Sequence, residues 1–99
     1  MKRKRLRIQS RAQQEINEAF DWYFERNPKA ADAFLTEIVA SLAQIVSQPQ
    51  LYPAFTKNTR RRVLQGFPYS VIFQEKDDAI LGVAVAHAKR RPGYWRGRN

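Results

Sequence analysis

A proline between two segments of helical periodicity constrains this fold more than any other feature of the sequence. From residue 11 to 26, apolar residues recur along one face of an amphipathic helix, and a second such pattern runs from residue 28 to about residue 47. A residue that precedes proline is disfavoured in helical conformation, whereas proline itself suits the first turn of a helix. The pair Asn27-Pro28 therefore predicts an antiparallel helical hairpin.

The remaining sequence has the period-two pattern of β-strands. Leu6 and Ile8 alternate with polar residues before the hairpin, which predicts a strand with one buried face. Runs at 60–65, 69–74 and 79–86 follow the hairpin and are separated by short turns, so we expect antiparallel pairing. The last run is apolar on both faces, which is typical of a central strand.

Length and composition indicate one domain, residues 1–99, of the α+β class. We expect the order βααβββ, a twisted antiparallel sheet with the N-terminal helical hairpin packed on one face. The chain has no cysteine, which excludes disulfides, thiolate chemistry and zinc ribbons. Its basic N-terminus is not followed by an apolar run, so we expect neither a signal peptide nor a membrane-spanning segment, and we predict a cytoplasmic location.

The net charge of +9 is concentrated in three segments. Most of the 18 Lys and Arg residues lie in 1–7, 57–62 and 87–98, which contain no acid, whereas residues 11–37 carry a net negative charge. Such a basic surface indicates an anionic partner, either nucleic acid or an acidic protein. Solubility alone is the plainer alternative, but solubility does not require this clustering.

The C-terminal segment 87–98 combines one histidine, five cations, Tyr94 and Trp95. We expect it to follow the last strand and to contribute little to the core, with Trp95 as the one ring that can pack back on the sheet. Its cations suit phosphates or carboxylates. Its rings suit stacking on bases or anchoring in a protein interface.

Together, several segments resemble the RelE/ParE superfamily of toxins from type II toxin–antitoxin systems, over nearly the whole chain. The residues that carry the resemblance are Phe20-Asp-Trp-Tyr23, Pro28 with Ala31 and Phe34, Pro49, Arg61-Arg-Val-Leu-Gln-Gly-Phe-Pro-Tyr69, Val71-Ile-Phe73, and His87 through Arg91-Pro92 with Tyr94-Trp95. Membership implies a small cytoplasmic toxin and a cognate antitoxin, an acidic protein that wraps it in a higher-order complex. It also implies one of two targets: mRNA in the ribosomal A site, which RelE-like members cut, or DNA gyrase, which ParE-like members inhibit.

The nuclease alternative needs a base, an acid and cations at the phosphate. The candidate catalytic residues are His87, Arg61, Arg90 and Tyr94. His87 is the only histidine, and a histidine can serve as acid or base near neutral pH. The structural alternative is that His87 ends a strand and hydrogen-bonds a nearby carbonyl group. No residues have metal-ligand spacing and no glycine-rich phosphate loop is present, so we expect neither a metal nor a cofactor.

The ending Tyr94-Trp-Arg-Gly-Arg98 departs from the RelE-like nuclease pattern, and Lys57 is the only lysine near the middle strands. The sequence is therefore closer to the ParE-like branch, which implies a toxin that binds DNA gyrase and is not an enzyme. A ribosome-dependent, metal-independent endoribonuclease is the alternative. A nucleic-acid-binding accessory domain without toxicity is a third.

Two groups of residues are predicted to bind partners. An arginine triplet in a strand sends neighbouring side chains to opposite faces, so we expect at least one arginine on the helix side. The residues predicted to bind the target are Arg60, Arg61, Arg62, Lys89, Arg90, Arg91, Tyr94, Trp95, Arg96 and Arg98. Apolar side chains outside the main helical stripe either cover the sheet edge or are exposed for a partner. As antitoxin contacts we predict Trp22, Phe24, Leu51 and Phe55.

Overall fold

The computed structural model describes residues 4–56 and 58–98. The chain forms β1 (Arg5–Ile8), α1 (Ser10–Arg26), α2 (Pro28–Ser47), a short 3₁₀ helix (Pro49–Leu51), β2 (Arg60–Val63), β3 (Tyr69–Glu75) and β4 (Ala79–His87). The predicted α+β class and the order βααβββ are confirmed. Residues 1–3, which include Lys2 and Arg3, and Lys57 and Asn99 lie outside the described residues.

Asn27 joins the two helices and confirms the predicted hairpin. Its backbone N–H donates to the Tyr23 carbonyl at 2.7 Å and ends α1. Its side-chain oxygen accepts from the backbone N–H of Lys29 at 3.1 Å and caps α2, with Pro28 at the first helical position. One extended residue therefore satisfies backbone groups of both helices, which allows a sharp reversal.

The sheet has the strand order β1-β4-β3-β2. The pairs β2–β3 and β3–β4 are antiparallel, as predicted, and β4 is central. The pairing of β1 differs from the prediction, because β1 runs parallel to β4 and makes the sheet mixed. No short turn connects β1 to β4. The helical hairpin, β2 and β3 lie between them in the chain, and so long a connection permits parallel pairing.

The helical hairpin packs on one face of the sheet and forms the larger core. Tyr23 and Phe34 meet Phe67 and Tyr69 in an aromatic cluster, with ring centroids 5.3 to 6.4 Å apart. The buried residues of this core are Ile16, Ala19, Phe34, Ile38, Ile45, Leu64, Val71, Phe73, Ile80 and Val85. Burial of this apolar stripe is the main force that holds the hairpin on the sheet.

A second core lies on the opposite face of the sheet. Ile72, Ala84 and Ala86 point away from the helices and pack with Trp95, which is only 3% exposed, and with the partly buried Phe55. Trp95 was the one residue of the C-terminal segment expected to pack back on the sheet, and it does so. Its ring covers an apolar face that the hairpin cannot reach.

Helix α2 is long and apolar enough, by length and composition alone, to cross a membrane, which the sequence prediction did not anticipate. The helix of a folded core meets the same criteria. In this fold, Ala31, Phe34, Ile38 and Ile45 of α2 are buried within the domain.

Candidate interaction surface around the C-terminal segment

The three arginines of β2 point to two different faces, as the alternation of a strand requires. Arg62 lies on the helix side and forms an ion pair with Glu37 at 3.8 Å. Arg60 donates to the carbonyl of Tyr52 at 2.7 Å. Arg61 pairs with Ile72 in register and lies on the other face, where its guanidinium is 4.1 Å from the Phe55 ring centroid. The prediction of at least one arginine on the helix side is confirmed, and Arg61 belongs to the face that the C-terminal segment covers.

Within the C-terminal segment, residues 88–98 follow β4 and fold as successive turns. Backbone N–H groups donate to carbonyls three residues earlier, as in the bond from Arg96 to Gly93 at 3.0 Å. Gly93 has φ of +89°, and a side chain there would also meet Arg96 at 3.2 Å. Glycine suits this left-handed conformation, which brings Trp95 back onto the sheet.

Glu15 of α1 anchors the C-terminal segment. Its carboxylate accepts from the backbone N–H of Val85 at 3.0 Å, from the Tyr94 hydroxyl at 2.7 Å and from the Arg98 guanidinium at 2.9 Å. Arg98 also donates to the Val83 carbonyl at 3.2 Å. Since β1 pairs with β4 only as far as Gly82, these side chains satisfy backbone groups on the free edge of β4. We call this set the Glu15 network.

The Glu15 network removes Arg98 from the accessible surface. The side chains of Arg98 and Glu15 are only 8% and 14% exposed. Sequence reasoning placed Arg98 among the target contacts and did not single out Glu15. A signal was present, because Glu15 falls on the apolar stripe between Ala12 and Ala19, where a carboxylate requires a buried partner.

Phe55, Trp95 and Tyr94 form a row of three aromatic rings, and an arginine lies over each of the two outer rings. Phe55 stacks on Trp95 with centroids 5.8 Å apart, and Tyr94 meets Trp95 edge-on at 5.1 Å. The guanidinium of Arg61 lies over Phe55, and that of Arg90 lies 3.8 Å from the Tyr94 centroid. The aromatic residues of the basic ending therefore contact one another and the sheet.

Arg61 and Arg90 line a small cleft of about 70 Å³ together with Phe55, Ser70 and His87. We call it the arginine cleft. A neighbouring cleft of about 180 Å³ is lined by His87, Arg90 and Tyr94. The four candidate catalytic residues are therefore brought together. Around them, Lys89, Arg90, Arg91 and Arg96 are exposed, so these predicted target contacts are accessible.

His87 is hydrogen-bonded in a way that limits its chemistry. Its Nδ1 accepts from the backbone N–H of Lys89 at 3.0 Å, and its ring meets Tyr69 edge-on at 5.0 Å. The lone pair of Nδ1 is engaged in this bond, so a ring proton lies on Nε2. His87 does end a strand, but its bond is to an N–H group and not to a carbonyl.

Tyr94 is equally unsuited to proton abstraction. Its hydroxyl donates to Glu15. Burial raises the pKa of Tyr94 well above its usual value of 10.0, and the hydrogen bond and negative charge of Glu15 raise it further. The phenol therefore keeps its proton and acts as a donor to the fold.

The predicted antitoxin contacts lie in different places. Trp22 and Phe24 on α1 are each 52% exposed, and Leu51 is 70% exposed, so Trp22 and Phe24 do not cover the sheet edge. Phe55 is half-buried against Trp95 on the opposite face of the sheet. The roles of these residues in binding stay predictions.

Comparisons with known proteins cover most of the chain. The family model described as ParE toxin of type II toxin-antitoxin system, parDE, matches residues 6–92. The sequence is 28% identical over 90 residues to Toxin ParE2 of Mycobacterium tuberculosis, strains CDC 1551 / Oshkosh and ATCC 25618 / H37Rv, covering 90% of this chain and 86% of that toxin. A solved structure of the chromosomal ParDE TA system from P. aeruginosa has the same fold, with a TM-score of 0.76 at 18% sequence identity over 85% of this chain and 95% of that one.

Proposed function

Since this chain belongs to the ParE toxin family of type II toxin–antitoxin systems, we propose that it inhibits growth by binding DNA gyrase in the cytoplasm. In the same proposal, a cognate antitoxin neutralises it in a higher-order complex. The gyrase target is the one that resemblance to the ParE-like branch implies. The basic surface around the C-terminal segment supports it as the binding site.

The observation that carries this proposal is the state of His87 and Tyr94. Both residues are held as hydrogen-bonding partners of the fold, one through Nδ1 and the other through its hydroxyl. Hydrolysis of RNA without a metal requires a group that removes the proton of the 2′-hydroxyl. Neither residue is prepared for that step, whereas binding to a protein requires no proton transfer.

The aromatic rings give a second reason to favour a protein target over RNA. Single-stranded nucleic acid binds on exposed ring faces, on which its bases stack. Trp95 is 3% exposed, and Tyr94 is covered by Arg90 on one side. The exposed part of this surface is therefore mainly cationic, which suits an acidic protein.

The ribosome-dependent nuclease stays the alternative for one specific reason. Arg61, His87 and Arg90 line one cleft, and Tyr94 lines the next. Two assays on the purified protein separate the functions: supercoiling by gyrase, and cleavage of mRNA on translating ribosomes. We expect inhibition of supercoiling and intact mRNA. Ribosome-dependent cuts with unaffected supercoiling would reverse the choice.

Exposed cations of the C-terminal segment provide the variants for the gyrase assay. Arg90 and Arg91 are exposed, so replacing both with Ala is expected to abolish growth inhibition and leave the fold intact. Replacement of the exposed Lys29 on α2, remote in sequence from the segment, is the matched control and should leave toxicity unchanged. Thermal unfolding of each variant checks that lost toxicity is not lost folding.

The helical hairpin is the proposed antitoxin surface. Leu35 and Val39 of α2 are 42% and 60% exposed, in addition to Trp22 and Phe24 of α1. Exposed apolar side chains on a helical hairpin suit the apolar face of an amphipathic helix. Hydrogen exchange with and without the antitoxin tests this proposal. We expect protection within residues 11–55, and its absence there would disprove this docking surface.

A further inference from the structure

Two guanidinium groups flank the arginine cleft without an acid between them. Arg61 reaches it from β2 and Arg90 from the turn after β4. The ion pairs of the described residues use Arg26, Arg62 and Arg98 but neither of these two. Nor does either guanidinium donate a hydrogen bond to another described residue. Their in-plane N–H groups are therefore available to a ligand.

The positions of both guanidiniums are set by the aromatic residues beneath them. Arg61 stacks on Phe55 and Arg90 stacks on Tyr94, and both rings pack against the buried Trp95. Tyr94 is fixed in turn by its hydrogen bond to Glu15. Stacking occupies the faces of a guanidinium and leaves its edge free for bidentate bonds. The cleft is thus organised before a ligand arrives, which lowers the entropy cost of binding.

The size and lining of the cleft favour a carboxylate. Its volume of about 70 Å³ accommodates a small anionic group. Ile72, Ala86 and Trp95 add an apolar floor that suits the short aliphatic stem of an acidic side chain. Three rings around the cleft are covered: Trp95 is buried, Phe55 contacts both Trp95 and Arg61, and Arg90 lies over Tyr94.

We propose that Arg61 and Arg90 together bind one carboxylate of an acidic segment on the protein target. Each guanidinium donates to the carboxylate from its own side, in the charge-assisted geometry that arginine forms with acids. This inference rests on the proposed function of a toxin that binds a protein, and it specifies the chemistry that the basic surface recognises. The exposed cations around the cleft attract the segment, and the two stacked arginines select the bound group.

A labelled hexaglutamate peptide and a single-stranded thymidine oligonucleotide of equal charge are the probes. We expect wild-type protein to bind the peptide more tightly than the oligonucleotide. Arg61→Lys and Arg90→Lys keep the charge but lose the planar fork. Each is expected to weaken peptide binding by about tenfold. If both arginines hold the same carboxylate, the loss in the double variant is smaller than the product of the single losses.

Two lysine substitutions serve as matched controls. Arg11→Lys changes an exposed arginine in the first turn of α1, and Arg26→Lys changes an arginine stacked on Trp22 at 3.8 Å in α1. Both should alter peptide binding less than twofold. Equal losses in Arg11→Lys would show diffuse attraction and overturn the proposal. Tighter binding of the oligonucleotide than of the peptide would overturn it in favour of phosphate.

Gyrase assays separate this inference from the proposed function. If wild-type protein leaves supercoiling unaffected but peptide binding depends on Arg61 and Arg90, the gyrase proposal fails and the carboxylate site stands. If wild-type protein and both lysine variants inhibit gyrase equally, the site proposed here is wrong and the gyrase proposal stands. Reduced inhibition by both lysine variants, with inhibition by Arg11→Lys unchanged, supports the two proposals together.

Discussion

The helical hairpin and the C-terminal segment cover opposite faces of the sheet, and different kinds of contact hold them there. The helical hairpin of α1 and α2 buries a continuous apolar stripe on one face. The C-terminal segment covers the other face with one large ring, Trp95, and fixes it through the Glu15 network. Many apolar contacts hold the hairpin, among them those of the fully buried Phe34. The C-terminal segment depends on a few contacts, so we expect it to fail when one is lost.

The helical hairpin and the C-terminal segment also have different proposed functions, one as the antitoxin surface and the other as the target surface. The hairpin has exposed apolar side chains and several acidic residues, whereas the C-terminal segment exposes cations. Glu15 belongs to α1 but holds Tyr94, on which Arg90 stacks. The proposed target surface is thus supported from beneath by a residue of the hairpin. A variant that breaks the hydrogen bond between Glu15 and Tyr94 would therefore change the stability of this surface without changing its exposed cations.

Replacement of each tryptophan tests the comparison most strongly. Trp95→Ala removes a ring that is 3% exposed and is expected to lower the free energy of unfolding by about 3–5 kcal/mol. Trp22→Ala removes the same side chain from the hairpin, where it is 52% exposed, and should cost about 1 kcal/mol or less. Denaturant unfolding of both variants measures the difference. Similar losses would contradict the role of Trp95 as a core residue.

The same burial changes the expected result of a truncation. A C-terminal segment that contributed little to the core could lose Tyr94 to Asn99 with the fold largely intact, and toxicity alone would be abolished. Because Trp95 and Arg98 are part of the interior, we now expect that truncation to destabilise the protein. Loss of toxicity in this variant therefore cannot report on the target surface, whereas the double variant of Arg90 and Arg91 can.

Glu15→Ala is expected to have the next largest effect. It leaves the Val85 N–H without its acceptor and the buried Arg98 guanidinium without a counter-ion, at a cost of about 3 kcal/mol. Glu18→Ala, one turn along the same helix, removes an exposed carboxylate and should change stability by about 0.5 kcal/mol or less. Hydrogen exchange at Val85 gives a local readout. Unchanged protection there would show that Glu15 does not close this edge.

Most of the fold could be predicted from the sequence, because it follows from periodicity. The apolar stripes on both sides of Asn27-Pro28 predict the hairpin, and the short turns predict the antiparallel strands. The parallel pairing of β1 could not be predicted in this way. No local signal in Leu6 or Ile8 specifies a partner more than 70 residues away.

The sequence predicted which residue types form the candidate site, but not how those residues are arranged. The residue types of segment 87–98 indicate a basic, aromatic surface, and Arg61, Arg90 and Arg91 do lie on the accessible part of the protein. Burial of Trp95 depends on the turn at Gly93. Burial of Arg98 depends on an acid in α1, which is far from the C-terminal segment along the chain. A single-sequence pattern does not report such long-range contacts.

A titration of stability at high pH compares the tyrosines of the two cores. Burial raises the pKa of Tyr94 on one side of the sheet and of Tyr23 and Tyr69 on the other. A raised pKa in the folded state adds stability that is complete below the unfolded value of about 10 and is lost as pH rises through the folded value. The free energy of unfolding should therefore fall above about pH 10.

Tyr94→Phe separates the contribution of the C-terminal segment to that titration. Loss of its hydrogen bond to Glu15 should cost about 1–2 kcal/mol at neutral pH. The fall above about pH 10 should also become shallower, because only Tyr23 and Tyr69 still contribute. Denaturant unfolding at neutral and at high pH gives both quantities. An unchanged slope would show that Tyr94 ionises equally in both states.

His87→Ala is expected to have the smallest effect, and it tests which function the basic surface performs. Among the residues that the structure describes, the imidazole bonds only the Lys89 N–H, and it packs edge-on against Tyr69, so its loss should leave the hairpin and the C-terminal segment in place. If the surface binds gyrase, growth inhibition by this variant should stay within about twofold of wild type, because no proton is transferred. A nuclease that used His87 as acid or base would lose activity by roughly a hundredfold or more. Growth assays at matched expression measure the change in toxicity, and cleavage of mRNA on translating ribosomes by the purified variant shows whether any loss is catalytic.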